Sequence, residues 1–306
     1  MSWGGSEKNR WFQLDVLIKG RDNVQLRIII MEIIQFAFVL VAGVVAVIYS
    51  GKGPDLMRKA NELVTGKKGC SPVGDLDFVT LHYFAVRGRG EAIRLLLEEA
   101  EIPYNQTGFT KETWPKAKKE GMASGLYTFG QVPAMTTSSG VNMVQSNAIA
   151  HYIGRATGME CDCDQLHYCE ILALGVDDFR AKLSKILYDP NFSVEMRDEY
   201  IQTTAPMWLQ HFEKLTPNFQ LEDMGYFGGK HLTWVDFLIF DVLDLNLEFA
   251  KVDMGRPLVA ILDGYPKLQS FYNQFRQRPK VAAYLNSKRR FPFSCPMPKN
   301  LPAAKQ

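Results

Sequence analysis

With 306 residues, 46% of them hydrophobic, the chain can bury a sizeable core and has the length of about two domains. Its 35 Lys and Arg are scattered among 33 Asp and Glu, and a net charge of +2 makes no case for nucleic acid, which is set aside as a partner. Five cysteines do not form a disulfide framework, and nothing in their placement demands pairing.

The chain opens on a polar tail, residues 1–27. Ile28 to Tyr49 follows, almost wholly apolar, broken only by Glu32 and Gln35 and long enough to cross a bilayer as a helix. A transmembrane helix over 28–49 is therefore expected, bringing the lipid bilayer in as a partner. A signal peptide with an unusually long leading region and a buried helix are the alternatives. Lys19, Arg21 and Arg27 on one side balance Lys52, Arg58 and Lys59 on the other, so orientation is not readable. The expected location is an organellar membrane, the mitochondrial inner membrane first. Residues 50–76, with Gly, Pro and Lys prominent, read as a linker.

Residues 77–158 predict a small α/β domain. A strand is expected at Val79 to Phe84 and a helix at Gly90 to Ala100, where Ile93, Leu96, Leu97 and Ala100 recur at helical spacing. A strand near Tyr104 to Gly108 and an irregular helix around Trp114 to Glu120 come next. A hairpin, Ala134 to Val144, turns at Ser138-Ser139-Gly140, and a helix runs from Ser146 to Thr157. The order βαβαββα is that of a thioredoxin-like domain. Tyr83, at a strand end beside a helix start, could donate a hydrogen bond to an anion there; taken alone, such a tyrosine is usually just a half-buried aromatic.

Residues 164–290 predict an all-helical domain, with residues 291–306 as a tail. Leu166, Cys169, Val176, Phe179, Leu183 and Ile186 keep one face apolar, and similar patterns run through 194–215, 234–250 and 265–287. Thr233 and Asp236 have the spacing of an acidic capping box. Cys161, Cys163, His167 and Cys169 lack a paired Cys-x-x-Cys knuckle, so unpaired thiols are expected there, and no metal. A reducing compartment follows from those thiols.

Tyr83-Phe84-Ala85-Val86-Arg87-Gly88-Arg89 resembles the opening of the cytosolic glutathione transferases, especially the pi class. The likeness continues in order through Trp114 and Lys118, Phe129-Gly130-Gln131-Val132-Pro133, Gln145-Ser146-Asn147 and Thr233-Trp234-Val235-Asp236-Phe237. Tyr188-Asp189-Pro190-Asn191-Phe192 and Phe237 to Leu245 look most like the mu class, so the features are mixed. The resemblance covers about residues 77–290.

It implies the thioredoxin-like fold followed by a helical domain, with glutathione as co-substrate. It implies that Tyr83 activates the thiol and that Arg89, Trp114 and Lys118 meet the glycine carboxylate end. Gln131 would contact the tripeptide beside Val132, whose backbone pairs with it, and Gln145 and Ser146 would meet the γ-glutamyl end. Asp178 would reach the glutamyl amine from a partner subunit. Tyr188 would assist in the electrophile pocket. By resemblance the Val132-Pro133 bond is cis, whereas local sequence alone favours trans. His82 stands where the mu class has a small residue, which leaves the electrophile open.

Two functions are expected. One is a membrane-anchored glutathione transferase conjugating the thiolate to hydrophobic electrophiles, as a homodimer. The other is a transferase-like accessory subunit of a larger membrane complex, such as a mitochondrial respiratory assembly.

Overall fold

The computed structural model describes residues 76–162, 165–216, 226–228, 231–255 and 259–295. Strand β1 (Val79–His82) lies between β2 (Tyr104–Gln106), its parallel neighbour, and β3 (Ala134–Thr137), its antiparallel one; β4 (Asn142–Val144) closes the hairpin, giving the order β2-β1-β3-β4. Val79 and Leu81 alternate inward and are fully buried, as a half-covered strand requires. The hairpin turns where Gly140 adopts φ +86°, and the Thr137 hydroxyl accepts the Val141 N–H at 3.0 Å.

Helix α1 (Glu91–Glu99) crosses from β1 to β2 after a 3₁₀ turn at Gly88–Gly90. Helix α2 (Trp114–Ala123) precedes the hairpin and α3 (Ser146–Thr157) follows it, so the thioredoxin-like order is present. Every residue of α1 from Glu91 to Leu97 is buried, because helices of the second part of the chain pack on the side that the sheet leaves open.

That second part is helical among the described residues. Helix α4 (Leu166–Leu187) is followed by α5 (Val194–Glu199), which Ser193 caps by accepting the Met196 N–H. A π turn at Tyr200–Thr204 carries the chain into α6 (Ala205–Leu215), with the Ala205 N–H bonded to the Tyr200 carbonyl. Pro206 has no N–H to return to the preceding turn, so the helix widens there without ending.

Helix α7 (Trp234–Ala250) packs on α4, α1 and α3 and is buried on almost every side, which is why it carries no narrow apolar stripe. Helices α8 (Pro266–Arg276) and α9 (Pro279–Leu285) complete the bundle. The capping box forms: Asp236 Oδ2 accepts the Thr233 N–H at 2.8 Å, and its Oδ1 accepts the Phe227 N–H at 2.9 Å. Asp236 is wholly buried, so Asp236→Ala strands two backbone donors and is expected to destabilise the fold by about 2–4 kcal/mol in urea denaturation.

One expectation is corrected. Cys161 and Cys169 are joined in a disulfide, not left as unpaired thiols. The connector folds back on the first turn of α4 and brings together two buried side chains that linear spacing leaves apart; Cys163 lies outside the described residues. The span at 28–49 and the linker at 50–76 also lie outside them, but for Leu76, and among the described residues no helix is long and apolar enough to cross a membrane.

Candidate active site

A cavity of about 540 Å³ opens where the end of β4, the start of α3 and the segment before β3 converge. Its floor is Val132-Pro133, and the peptide between them is cis. Among the described residues, Val132's N–H and C=O make no hydrogen bond, so both can pair with an extended backbone. Gln145, at one end, holds φ +74° and ψ 115°, an uncommon conformation for a residue with a side chain. It turns the chain so that the N-terminus of α3, beginning at Ser146, faces the cavity with unpaired N–H groups suited to a carboxylate.

The opposite end is cationic and aromatic. Lys118 and Trp114 line it, and Lys118 has no ion-pair partner among the described residues; Arg89 lies instead toward the α3 end, where its partner Asp177 holds Asn147. Trp114 is held by rings on three sides, with Phe109 at 5.2 Å and Phe84 and Tyr127 at 5.6 Å between centroids. Tyr127 lies flat on α2, where a Cβ at Gly121 would come within 2.0 Å of its ring. Beneath it, His82 Nδ1 accepts the Tyr127 hydroxyl at 3.2 Å and Nε2 bonds Thr136 at 3.1 Å. Burial lowers the His82 pKa and keeps the ring neutral, as this pairing needs.

Tyr83 sits behind this surface, 7% exposed, between Phe84 and Arg89, which both line the cavity. Its oxygen accepts the Arg89 backbone N–H at 2.8 Å. Among the described residues its own O–H has no acceptor, so the proton remains available to donate. Burial raises its pKa, and the Arg89 N–H opposes that without cancelling it, so the phenol stays protonated at neutral pH. Two glycines let the loop close over the ring: a Cβ at Gly88 would lie 2.5 Å from the Tyr83 oxygen, and one at Gly90 would lie 2.7 Å from its ring. Gly88 also holds φ +43°, where a side chain is strained.

Arg89, Trp114, Lys118, Gln131, Val132, Pro133, Gln145 and Ser146 thus all line one cavity. Three expected residues do not. Tyr83 lies just beneath the lining. Asp178 is exposed on α4, away from the cavity of its own chain, and Tyr188 caps the end of α4 with 80% of its surface exposed. The acid that does line the cavity is Asp177, which pairs with Arg89 and accepts Asn147 Nδ2 at 3.0 Å. Helix angle separates the two: with Cys169, Ala173, Val176, Phe179, Arg180 and Leu183 buried, residue 177 falls on the border of that face and 178 opposite it.

Residues 79–155 match the family model described as the glutathione S-transferase N-terminal domain, and 177–288 match that of the glutathione S-transferase C-terminal domain. A rabbit (Oryctolagus cuniculus) protein named glutathione S-transferase Mu 1 is 30% identical over 217 residues, 69% of this chain and 92% of its own. The chain belongs to the glutathione S-transferase family. A Caenorhabditis elegans glutathione S-transferase P is 29% identical over 209 residues, covering 68% of this chain and 92% of its own. The solved pi-class glutathione S-transferase of Onchocerca volvulus superposes with a TM-score of 0.58 at 25% identity, covering 68% of this chain and 91% of its own. Mu- and pi-type relatives side by side match the mixed motifs.

These comparisons also correct the expected location. The described body has the build of that glutathione S-transferase structure, and no described helix can span a bilayer, so the placement in an organellar membrane is withdrawn. It rested on hydropathy over 28–49 alone. Among the described residues no group of three or more His, Cys, Asp or Glu is placed to hold a metal ion.

Proposed function

We propose that this chain is a glutathione transferase, binding glutathione extended along the cavity and conjugating its sulfur to an electrophilic carbon. The convergence of eight residues from separate segments of the chain on one cavity, cationic at one end and a helix N-terminus at the other, supports it most. The glycine carboxylate would meet Lys118 and the Trp114 edge, while the cysteinyl backbone would pair with Val132. The γ-glutamyl carboxylate would lie at Gln145 and Ser146 on the start of α3. The thiol would then fall beside Tyr83, whose O–H favours the thiolate by donating to it. Attack by that thiolate forms the carbon–sulfur bond, and the leaving group departs with its electron pair.

We further propose that the active form is a homodimer. Asp178 is exposed on the same side of α4 as Ile171 and Leu174, which are 59% and 62% exposed, so a second copy covering this face would bring a carboxylate to the glutamyl amine of its neighbour. Tyr188 would stand over the electrophile; its hydroxyl is among the groups that act electrostatically on Tyr83.

Calorimetric titration of the full chain with glutathione tests this. Binding is expected, and Lys118→Ala and Asp178→Ala are each expected to weaken it by roughly 10-fold or more, with thermal unfolding little changed. Absence of binding, or equal affinity in all three proteins, would end the assignment.

A further inference from the structure

The loop over Tyr83 is held from below by a buried network of charges that reaches the far end of the described chain. Arg94, 1% exposed, donates to the Val86 carbonyl at 2.8 Å and the Arg87 carbonyl at 3.3 Å, and thereby fixes the backbone just before Gly88. Arg94 is itself held by Glu91 at 2.8 Å. Glu91 is wholly buried, and its other oxygen accepts Arg290 Nε at 2.9 Å. Arg290 also pairs with Asp244 on α7, and Asp244 pairs with Arg87 of the loop at 3.3 Å. The backbone beside Arg290 joins in, because the Phe291 carbonyl accepts Arg87 Nε at 2.8 Å. Arg290 therefore touches both carboxylates that anchor the loop, although it lies 199 residues from Glu91.

We propose that Arg290, on the segment that follows α9, is a positioning residue of the thiol-activating site. It acts on Tyr83 through the loop and contacts neither glutathione nor the reacting atoms. This rests on the glutathione transferase function proposed above. The link is geometric: among the described residues the only backbone N–H donated to the Tyr83 oxygen is that of Arg89, and the direction of that N–H is set by where Val86 to Gly88 are held. Without Arg290, Glu91 and Asp244 face each other with less opposing charge, and Arg87 and Arg94 redistribute toward them and away from the loop carbonyls. The phenol then loses its fixed orientation toward the sulfur. A neighbouring arginine serves as a contrast. Arg289 pairs with Glu98 on the outer side of α1, away from the loop, and is 62% exposed.

The test uses the full chain carrying Arg290→Gln, Arg290→Lys or Arg289→Gln, and Arg290→Gln combined with Tyr83→Phe. Two quantities are read: the pKa of the bound glutathione thiol, from thiolate absorbance against pH, and kcat/KM for an aryl halide against pH. Arg290→Gln is expected to raise the thiol pKa by about one unit, lowering kcat/KM at neutral pH about tenfold while the KM for glutathione holds. Arg290→Lys keeps the charge but cannot span both carboxylates, so it should fall in between, and it carries the test if Arg290→Gln does not fold. Arg289→Gln should match the unaltered protein. In the Tyr83→Phe background Arg290→Gln should add nothing further. An unshifted thiol pKa in both Arg290 variants would overturn the proposal, as would an equal loss with and without the Tyr83 hydroxyl. Failure of the unaltered protein to bind glutathione would instead remove the function on which the proposal rests.

Discussion

Tyr83→Phe is expected to lower turnover of an aryl halide by roughly 10- to 100-fold, the range for losing a hydrogen bond to a charged group. The ring that fills the space under Gly88 and Gly90 is kept, so packing should hold and glutathione should bind as before. What disappears is an O–H that is buried against the cavity and, among the described residues, has no acceptor. The thiol of bound glutathione should then titrate near its ordinary value of about 8.5, and the loss in rate should shrink as pH rises past it. Because burial holds the Tyr83 phenol above its own ordinary value, ionisation of the tyrosine does not intrude on this profile. Stopped-flow absorbance of the thiolate against pH checks it. Identical profiles in the two proteins would show that Tyr83 only packs.

Glu91→Ala should be among the most damaging single changes to stability, costing about 3–5 kcal/mol, because it breaks a buried ion-pair network from one side only. Three groups lose a partner together: Arg94 and Arg290, and the Tyr284 hydroxyl, which Glu91 accepts at 3.2 Å. Arg94 keeps Gln106 at 2.7 Å and the loop carbonyls, but its charge is left uncompensated at 1% exposure. Chemical denaturation followed by tryptophan fluorescence gives the number. A loss below about 1 kcal/mol would mean that Asp244 alone balances the arginines, as surface-like pairs do.

Much of the fold was legible because its signals are local. The apolar spacing in α1, the Gly140 turn and the Thr233-Asp236 cap each act within a few residues. The cavity lining was legible for another reason: its residues resemble a family pattern in order, and that pattern carried Pro133, Gln145 and Lys118 to one place. What escaped was long-range or angular. Asp177 and Asp178 are neighbours in sequence but about 100° apart around α4, so only the helix angle separates them. The Cys161–Cys169 disulfide needs the connector to fold back. The Glu91–Arg290 contact joins residues that no window along the chain would place together. The apolar run at 28–49 shows the converse error, since a hydropathy pattern that predicts only a span was extended to a particular location.

The burial of α1 on both sides also governs what can be exchanged between relatives. A sheet-bearing fragment cut after α3 would expose a helix whose residues from Glu91 to Leu97 are all covered in the whole chain. It would show to water the face that carries Glu91, Arg94 and Leu95, with Glu91 deprived of Arg290, inviting aggregation rather than independent folding. A chimera that takes its first part from one glutathione S-transferase and its second from another must therefore match Glu91, Arg94, Asp244 and Arg290 as a set. Compatibility between donor sequences would be decided at that seam, far from the residues that face glutathione.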